Sequence, residues 1–197
     1  QQIAADFAQI VADMDEPFAD PSCFPTWYLA RATERQVKVV LGGDGGDELL
    51  GGYKRYHKHL RSAWRTRLPL APHFLRPSLG GKGLPKFATE LGMSWIEAYS
   101  LRFSGFTPNQ RAYLQPGHRS QQFTYWRPGG SAQTSPLLAL LDIDLQHSLP
   151  EYVLRKADLC TMAHGLDLRA PLLDHEWYQN LLALPAEKRF TSPAKLL

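Results

Sequence analysis

The order of apolar and polar positions divides the chain into helical stretches around one short segment of a different period. Ile3–Ala12 reads as the tail of a helix. Met14–Pro25 is turn chemistry, with Asp15, Pro17, Asp20, Pro21, Ser22 and Pro25 in quick succession. Thr26–Arg35 returns to helical spacing through Trp27, Leu29, Ala30 and Ala32, and Pro25 suits the first turn. Gln36–Leu41 then carries Val37, Val39 and Val40, a short apolar run that predicts a buried parallel strand. Gly42–Gly46 is a glycine loop, and from Asp47 a helix can open, with an acidic residue at its positive end. Helix, strand, glycine loop and helix form one α/β unit.

The remainder reads as helical. Pro69–Pro85 holds four prolines and three glycines and predicts a loop or lid. Ser94–Phe103 and Thr107–Leu114 suit short helices, and Gln115–Gly130 is irregular. Ser135-Pro136 starts a helix over Leu137–Leu145, and Ser148-Leu149-Pro150-Glu151 is a capping box that opens the next, with Gly165 as its stop. Leu172–Leu184 forms a last helix before Pro185. No repeat and no linker-length glycine stretch occurs, so residues 1–197 read as a single partial domain, mostly α with one clear short strand.

Composition narrows the class. The 197 residues are 44% hydrophobic and 21% charged, ordinary values for a globular chain and unlike those of a disordered one. No apolar run approaches the ~20 residues of a membrane span, and Gln1–Asp6 lacks the basic start and apolar stretch of a signal peptide. Cys23 and Cys160 make neither a disulfide scaffold nor a metal motif and suit a reducing cytoplasm. With no initiator Met and a mid-helix opening, the chain reads as an excised piece of something longer.

The net charge is only +3, but its placement is uneven. No Asp or Glu occurs from Leu49 to Thr89, a window with nine Lys/Arg, and none from Ala98 to Leu141. Six of the nine lie between Lys54 and Arg67, interleaved with Tyr53, Tyr56 and Trp64. Two readings stand: an anion site, or a solvated helix face of snorkelling side chains. Nucleic acid is disfavoured, because no helix-turn-helix, zinc or RNA-binding signature is present. The histidines lack metal-ligand spacing, and His57 and His59 fall on different helix faces.

Gly42-Gly43-Asp44-Gly45-Gly46-Asp47-Glu48 carries the most chemistry. Glycines after a strand allow a tight turn and close approach to a ligand, and backbone N–H groups at a helix start favour phosphate. Three carboxylates in five residues suit a divalent cation bridging to phosphate, since Mg²⁺ takes oxygen ligands from both. The spacing of Asp44 and Asp47 lets one turn aim both into one site. A plain acidic turn capping a helix is the competing reading. The Walker, dinucleotide and EF-hand patterns do not fit.

Three ordered blocks resemble asparagine synthetase, in its ATP-dependent synthetase domain. Gly42-Gly43-Asp44-Gly45-Gly46-Asp47-Glu48, followed by Gly51-Gly52-Tyr53, is similar to that family's Ser-Gly-Glu/Asp-Gly-x-Asp-Glu motif. Asp15-Glu16-Pro17-Phe18-Ala19-Asp20-Pro21 precedes it, as in many bacterial members. Leu149–Asp174, with Arg155-Lys156-Ala157-Asp158, Met162, Arg169 and Asp174, resembles the family's third block.

The resemblance implies an α/β fold of the N-type ATP pyrophosphatase kind, with helices around a parallel sheet. It implies adenylation of a carboxylate by ATP with release of pyrophosphate, then attack by ammonia to form an amide. Aspartate is the default acceptor, and the ammonia comes from glutamine hydrolysed in an N-terminal glutaminase domain. By position, Gly42, Gly43 and Gly45 are implied to meet ATP through backbone, Asp44 to serve the adenylation step, and Asp47 to bind Mg²⁺. Lys195, in Ser192-Pro193-Ala194-Lys195-Leu196-Leu197, is implied to pair with phosphate and developing negative charge. Asp158, Met162, Arg169 and Asp174 are read as helix packing and a buried Asp–Arg network, and Cys160 as core.

Departures refine this expectation. The family's Ser-Gly-Gly-x-Asp-Ser loop and the glutaminase domain are not in these residues, so the chain alone is expected neither to make amide nor to hold ATP tightly. Gly42 replaces a common Ser, and Asp44 is one methylene shorter than Glu. These features lean toward a broad bacterial branch, some of whose members act on other carboxylates, as in surface-polysaccharide pathways. A non-catalytic basic helical binding module is the remaining alternative. Exposed sheet edge predicts self-association, a homodimer being the simplest form.

Overall fold

The structure is a computed structural model that describes residues 2–67, 90, 93–103, 114–115 and 135–184. In chain order its elements are α1 (Gln2–Asp13), α2 (Cys23–Thr33), β1 (Val39–Leu41), α3 (Gly46–Leu50), α4 (Lys54–Ser62), a 3₁₀ turn (Ala63–Arg67) and α5 (Trp95–Ser100). They continue with α6 (Pro136–Ile143), π-helical turns (Asp144–Leu154), α7 (Arg155–Met162), β2 (Asp167–Arg169), a 3₁₀ turn (Pro171–Leu173) and α8 (His175–Ala183). Two compact units result: Gln1–Gly52 with Leu141–Leu197, and Tyr53–Leu140. Among the described residues no helix is long and apolar enough to cross a membrane.

In the first unit, α1, α2 and α7 close a small core of Ile10, Met14, Cys23, Trp27 and Cys160, against which Phe18, Phe24, Tyr28 and Leu159 pack. Burying an indole requires a partner for its N–H; Trp27 Nε1 donates to Asp13 Oδ2 at 2.6 Å. Cys160 is fully buried, and burial foremost pushes its thiol up to about 11, so it is an inert core residue as expected. Helix α2 begins earlier than the pattern suggested, at Cys23, with Pro25 inside its first turn, where no N–H is needed.

Strand β1 is parallel, as the sequence implied, and pairs with β2 in the register Val39↔Asp167, Val40↔Leu168, Leu41↔Arg169. The second strand has three residues, two of them charged, and was not foreseen. The expected burial of β1 is corrected: Val39 is 50% and Leu41 74% exposed. A two-stranded sheet has too few neighbours among the described residues to cover both faces of β1.

The expected break at Ser148–Glu151 is also corrected. α6, the π-helical turns and α7 follow one another without interruption, and Pro150 lies inside the π-helical stretch. Proline has no N–H to close an α-helical bond, and the wider turns carry the backbone past it. Arg155 N–H then donates to the Pro150 carbonyl. Gly165 does stop α7. At φ +64 it donates to Met162 O, while Leu166 N–H donates to Thr161 O, both at 3.0 Å. The last helix starts at His175, later than expected, because Asp174 caps it by accepting from Glu176 and Trp177 N–H at 3.1 Å.

In the second unit, Tyr56, His59 and Tyr99 are buried side by side, and the Arg55 guanidinium lies 3.5 Å from the Tyr53 ring centroid. Glu90 is buried between two arginines, at 3.3 Å from Arg65 and 2.7 Å from Arg102. His57 is exposed and His59 buried, as their spacing required. The short helix expected over Ser94–Phe103 is α5 plus a turn. The expectations for Pro69–Pro85, and all but the adjoining ends of those for Thr107–Leu114 and Gln115–Gly130, lie outside the described residues.

Candidate functional site

The glycine loop hangs from the strand pair. Gly42 N–H donates to Arg169 O at 2.7 Å, which carries the parallel pairing one residue into the loop. Each glycine then has its own physical reason. Gly45 stands at φ +88, and a Cβ there would land in the Leu173 side chain, so only glycine fits. Gly43 is exposed and faces open space, which leaves its backbone accessible to a ligand. At Gly42 a Cβ would stand 2.8 Å from Asp44 Oδ2 and 3.2 Å from Leu168 Cδ1. The absent side chain is what lets the Asp44 carboxylate fold back over the loop.

The loop enters α3, whose Leu49 N–H bonds Gly45 O at 2.9 Å. Five residues are too few for a strong helix dipole. Asp47 sits in the first turn, its carboxylate packed against Gly52, whose N–H donates to Asp47 O at 3.0 Å. Asp44 and Asp47 therefore turn to different ends of the loop, one over Gly42 and one at Gly52. Glu48, the third carboxylate, is buried. Among the described residues no three His, Cys, Asp or Glu side chains gather as a metal cage. A donor set of one or two carboxylates fits Mg²⁺ held mainly by phosphate oxygens and water. Lys195 lies outside the described residues.

The sequence reading missed Lys156. Its Nζ donates to Ser22 Oγ at 3.0 Å and lies 3.5 Å from Asp20 Oδ2, so α7 grips the turn before α2. Burial raises the Asp44 carboxyl above its ordinary range, and the positive charge of Lys156 opposes that rise. For Asp20, burial pulls upward but is outweighed by Ser22 and Lys156, and the carboxyl ends below its ordinary value. One ammonium thus serves the Asp20–Ser22 turn and the electrostatics of the glycine loop. The available signal was that both partners lay within matched blocks.

The other block residues need correction. Asp158, Met162 and Arg169 are exposed, because α7 turns Ala157, Cys160 and Thr161 inward instead. Arg169 bonds Asp167 at 2.7 Å on the surface, and Asp174 is the cap of α8, so no buried Asp–Arg network forms from them.

Comparison with known proteins shows the family. The family model "Asparagine synthase" matches residues 1–195. A putative glutamine-hydrolysing asparagine synthetase of Mycobacterium bovis is 35% identical over 202 residues, covering 96% of this chain and 30% of the relative. Asparagine synthetase [glutamine-hydrolyzing] 1 of Bacillus subtilis is 29% identical, covering 91% of this chain and 30% of the relative. A putative Methanocaldococcus jannaschii asparagine synthetase is 46% identical over 55 residues, 28% of this chain and 11% of the relative. No solved structure matches the chain. The chain spans about a third of the length of the first two relatives, and with its glycine–carboxylate loop, its Asp20 turn and its Lys156 block in place it belongs to the asparagine synthase family.

Proposed function

We propose that this chain contributes the glycine–carboxylate loop of an ATP-dependent, amide-forming ligase whose parent fold is of the N-type ATP pyrophosphatase kind. The observation that carries the reading is the loop itself. In a chain of this family, an accessible Gly43 backbone stands between a half-buried Asp44 and the Asp47 of the first α3 turn. In this reading Gly42, Gly43 and Gly45 approach ATP through backbone, and Asp44 acts where the carboxylate is adenylated. Asp47 would hold Mg²⁺, which when bound would supply positive charge to offset that of a departing pyrophosphate. Lys195 pairs with phosphate. Lys156 keeps the Asp44 region positive enough for a carboxylate to persist beside a polyanion.

The acceptor proposed is aspartate, with ammonia released from glutamine by a glutaminase domain and the whole operating in the cytoplasm. The test is aspartate-dependent exchange of labelled pyrophosphate into ATP, with Mg²⁺, on the protein at the full length in which it is made. Residues 1–197 serve as a control that is expected to be silent. Exchange that disappears in Asp44→Ala supports the reading. Exchange only with another acid keeps the mechanism and moves the acceptor. Silence with every acid tried overturns it.

A further inference from the structure

The charge imbalance noted in the sequence has a definite place in the fold. Residues 53–140 hold 13 Lys/Arg against two Asp/Glu, a formal +11, while the rest of the chain sums to −8. Of those two acids, Glu90 is buried and already held by Arg65 and Arg102. The segment cannot neutralise itself.

Four of these 13 cations lie together on one helix face. Lys54, Lys58, Arg61 and Arg65 follow at steps of four, three and four residues, and with His57 and Ser62 they line a concavity of about 440 Å³. Among the described residues, Lys54, Lys58 and Arg61 have no carboxylate partner. Arg65 is fixed from behind by Glu90 at 3.3 Å, so one wall of the concavity is pre-organised. Like charges at successive turns oppose helix formation. A face that keeps them together gains from an anion that neutralises them.

We propose that α4 and the 3₁₀ turn after it form a binding groove for a small polyanion carrying two or more phosphoryl groups. Two guanidinium forks suit the oxygens of tetrahedral phosphoryl groups, and two flexible ammonium groups add point charge. Three positive charges without a carboxylate partner, beside the Glu90-held Arg65, match clustered phosphates better than a single carboxylate. Among the described residues no Phe, Tyr or Trp lines the groove, so these residues offer no stacking surface of the kind a single-strand nucleic-acid site uses. The groove is built wholly within residues 53–140 and does not depend on the role assigned to Asp44 and Asp47.

The test is calorimetric titration of the 197-residue chain with sodium tripolyphosphate, without divalent metal, at low and high salt. One equivalent should bind, and more weakly at high salt. Lys58→Gln/Arg61→Gln should weaken binding about tenfold or more. The exposed pair Lys54→Gln/Lys58→Gln should also weaken it, and far-UV circular dichroism reports whether each variant folds. Arg35→Gln/Lys38→Gln, exposed cations elsewhere, should bind like the parent. Absence of binding overturns the groove, as does binding that survives both groove variants and therefore belongs to another site such as the glycine loop. A single-stranded oligonucleotide that binds where tripolyphosphate does not overturns it in favour of nucleic acid.

Discussion

Lys156 Nζ stands 3.0 Å from Ser22 Oγ although 134 positions separate them in the chain, and Asp20 Oδ2 lies 3.5 Å from the same ammonium. The contact joins a turn near the start of the chain to a helix near its end, with the field of that ammonium reaching Asp44. Lys156→Met should therefore loosen the turn and leave Asp20 without its cation. The expected loss is about 1–3 kcal/mol, the range for breaking a partly buried charged hydrogen bond. Urea unfolding of Lys156→Met, Asp20→Asn and the double variant checks it. Additive effects would mean the pair is not coupled.

Gly45→Ala meets two separate obstacles, the positive φ and the Leu173 side chain. The left-handed backbone alone costs about 1 kcal/mol, and the overlap adds more. Leu173→Ala in the same chain should recover the overlap but not the backbone cost. Thermal unfolding should thus rank Gly45→Ala below the double variant once the effect of Leu173→Ala alone is subtracted. A loss equal in both would place the whole cost in φ.

Burial raises the Asp44 carboxyl, with Lys156 opposing. The sign follows from proton binding: between its unfolded value of 3.8 and the higher folded value, the folded state holds more protons. Folding is favoured at low pH on this account, and the benefit is lost as pH rises through the folded value. Asp44→Asn should therefore be more stable than the parent at neutral pH, with the difference vanishing below about pH 4. Denaturant melts across that range test this. A variant less stable at pH 7 would show that the ionised carboxylate makes a compensating bond.

His59 titrates in the opposite sense. Burial foremost, with Arg102, lowers it from 6.5 to about 4, against a raising contribution from the Trp95 carbonyl, whose O lies 3.1 Å from Nε2. The unfolded chain binds the extra proton between these values, so stability falls as pH drops from 6.5 toward 4, by up to roughly 3 kcal/mol. His59→Gln should flatten that limb of the stability–pH curve. An unchanged slope would assign the acid sensitivity elsewhere.

The sequence displayed whatever rests on local chemistry. Val39–Leu41 was legible as a parallel strand, Gly165 as a helix stop, and Gly42–Gly46 as a glycine turn, because a few adjacent residues determine each. Strand β2 was hidden: Asp167-Leu168-Arg169 is too short to show a period, and only its pairing makes it a strand. The capping box at Ser148 obeyed a correct local rule, yet the helix around Pro150 continued through π turns that no spacing rule signals. Lys156 was visible as a residue but not as a contact, since nothing local points from position 156 to positions 20, 22 and 44. The outward turn of Asp158 and Met162 likewise depends on which face of α7 meets α2, a property of packing between distant segments.

The strand pair beneath the glycine loop also sets an order of assembly. Val39 and Asp167 are 128 positions apart, and Gly42 N–H donates to the Arg169 carbonyl. Contacts of such separation close late, after nearer ones have shortened the loop between them. A growing chain would expose Gly42–Asp47 well before Arg169 and could not anchor it until Arg169 had emerged from the ribosome. The segment with the densest chemistry is thus among the last to acquire its shape, and a chaperone would encounter it open throughout that interval.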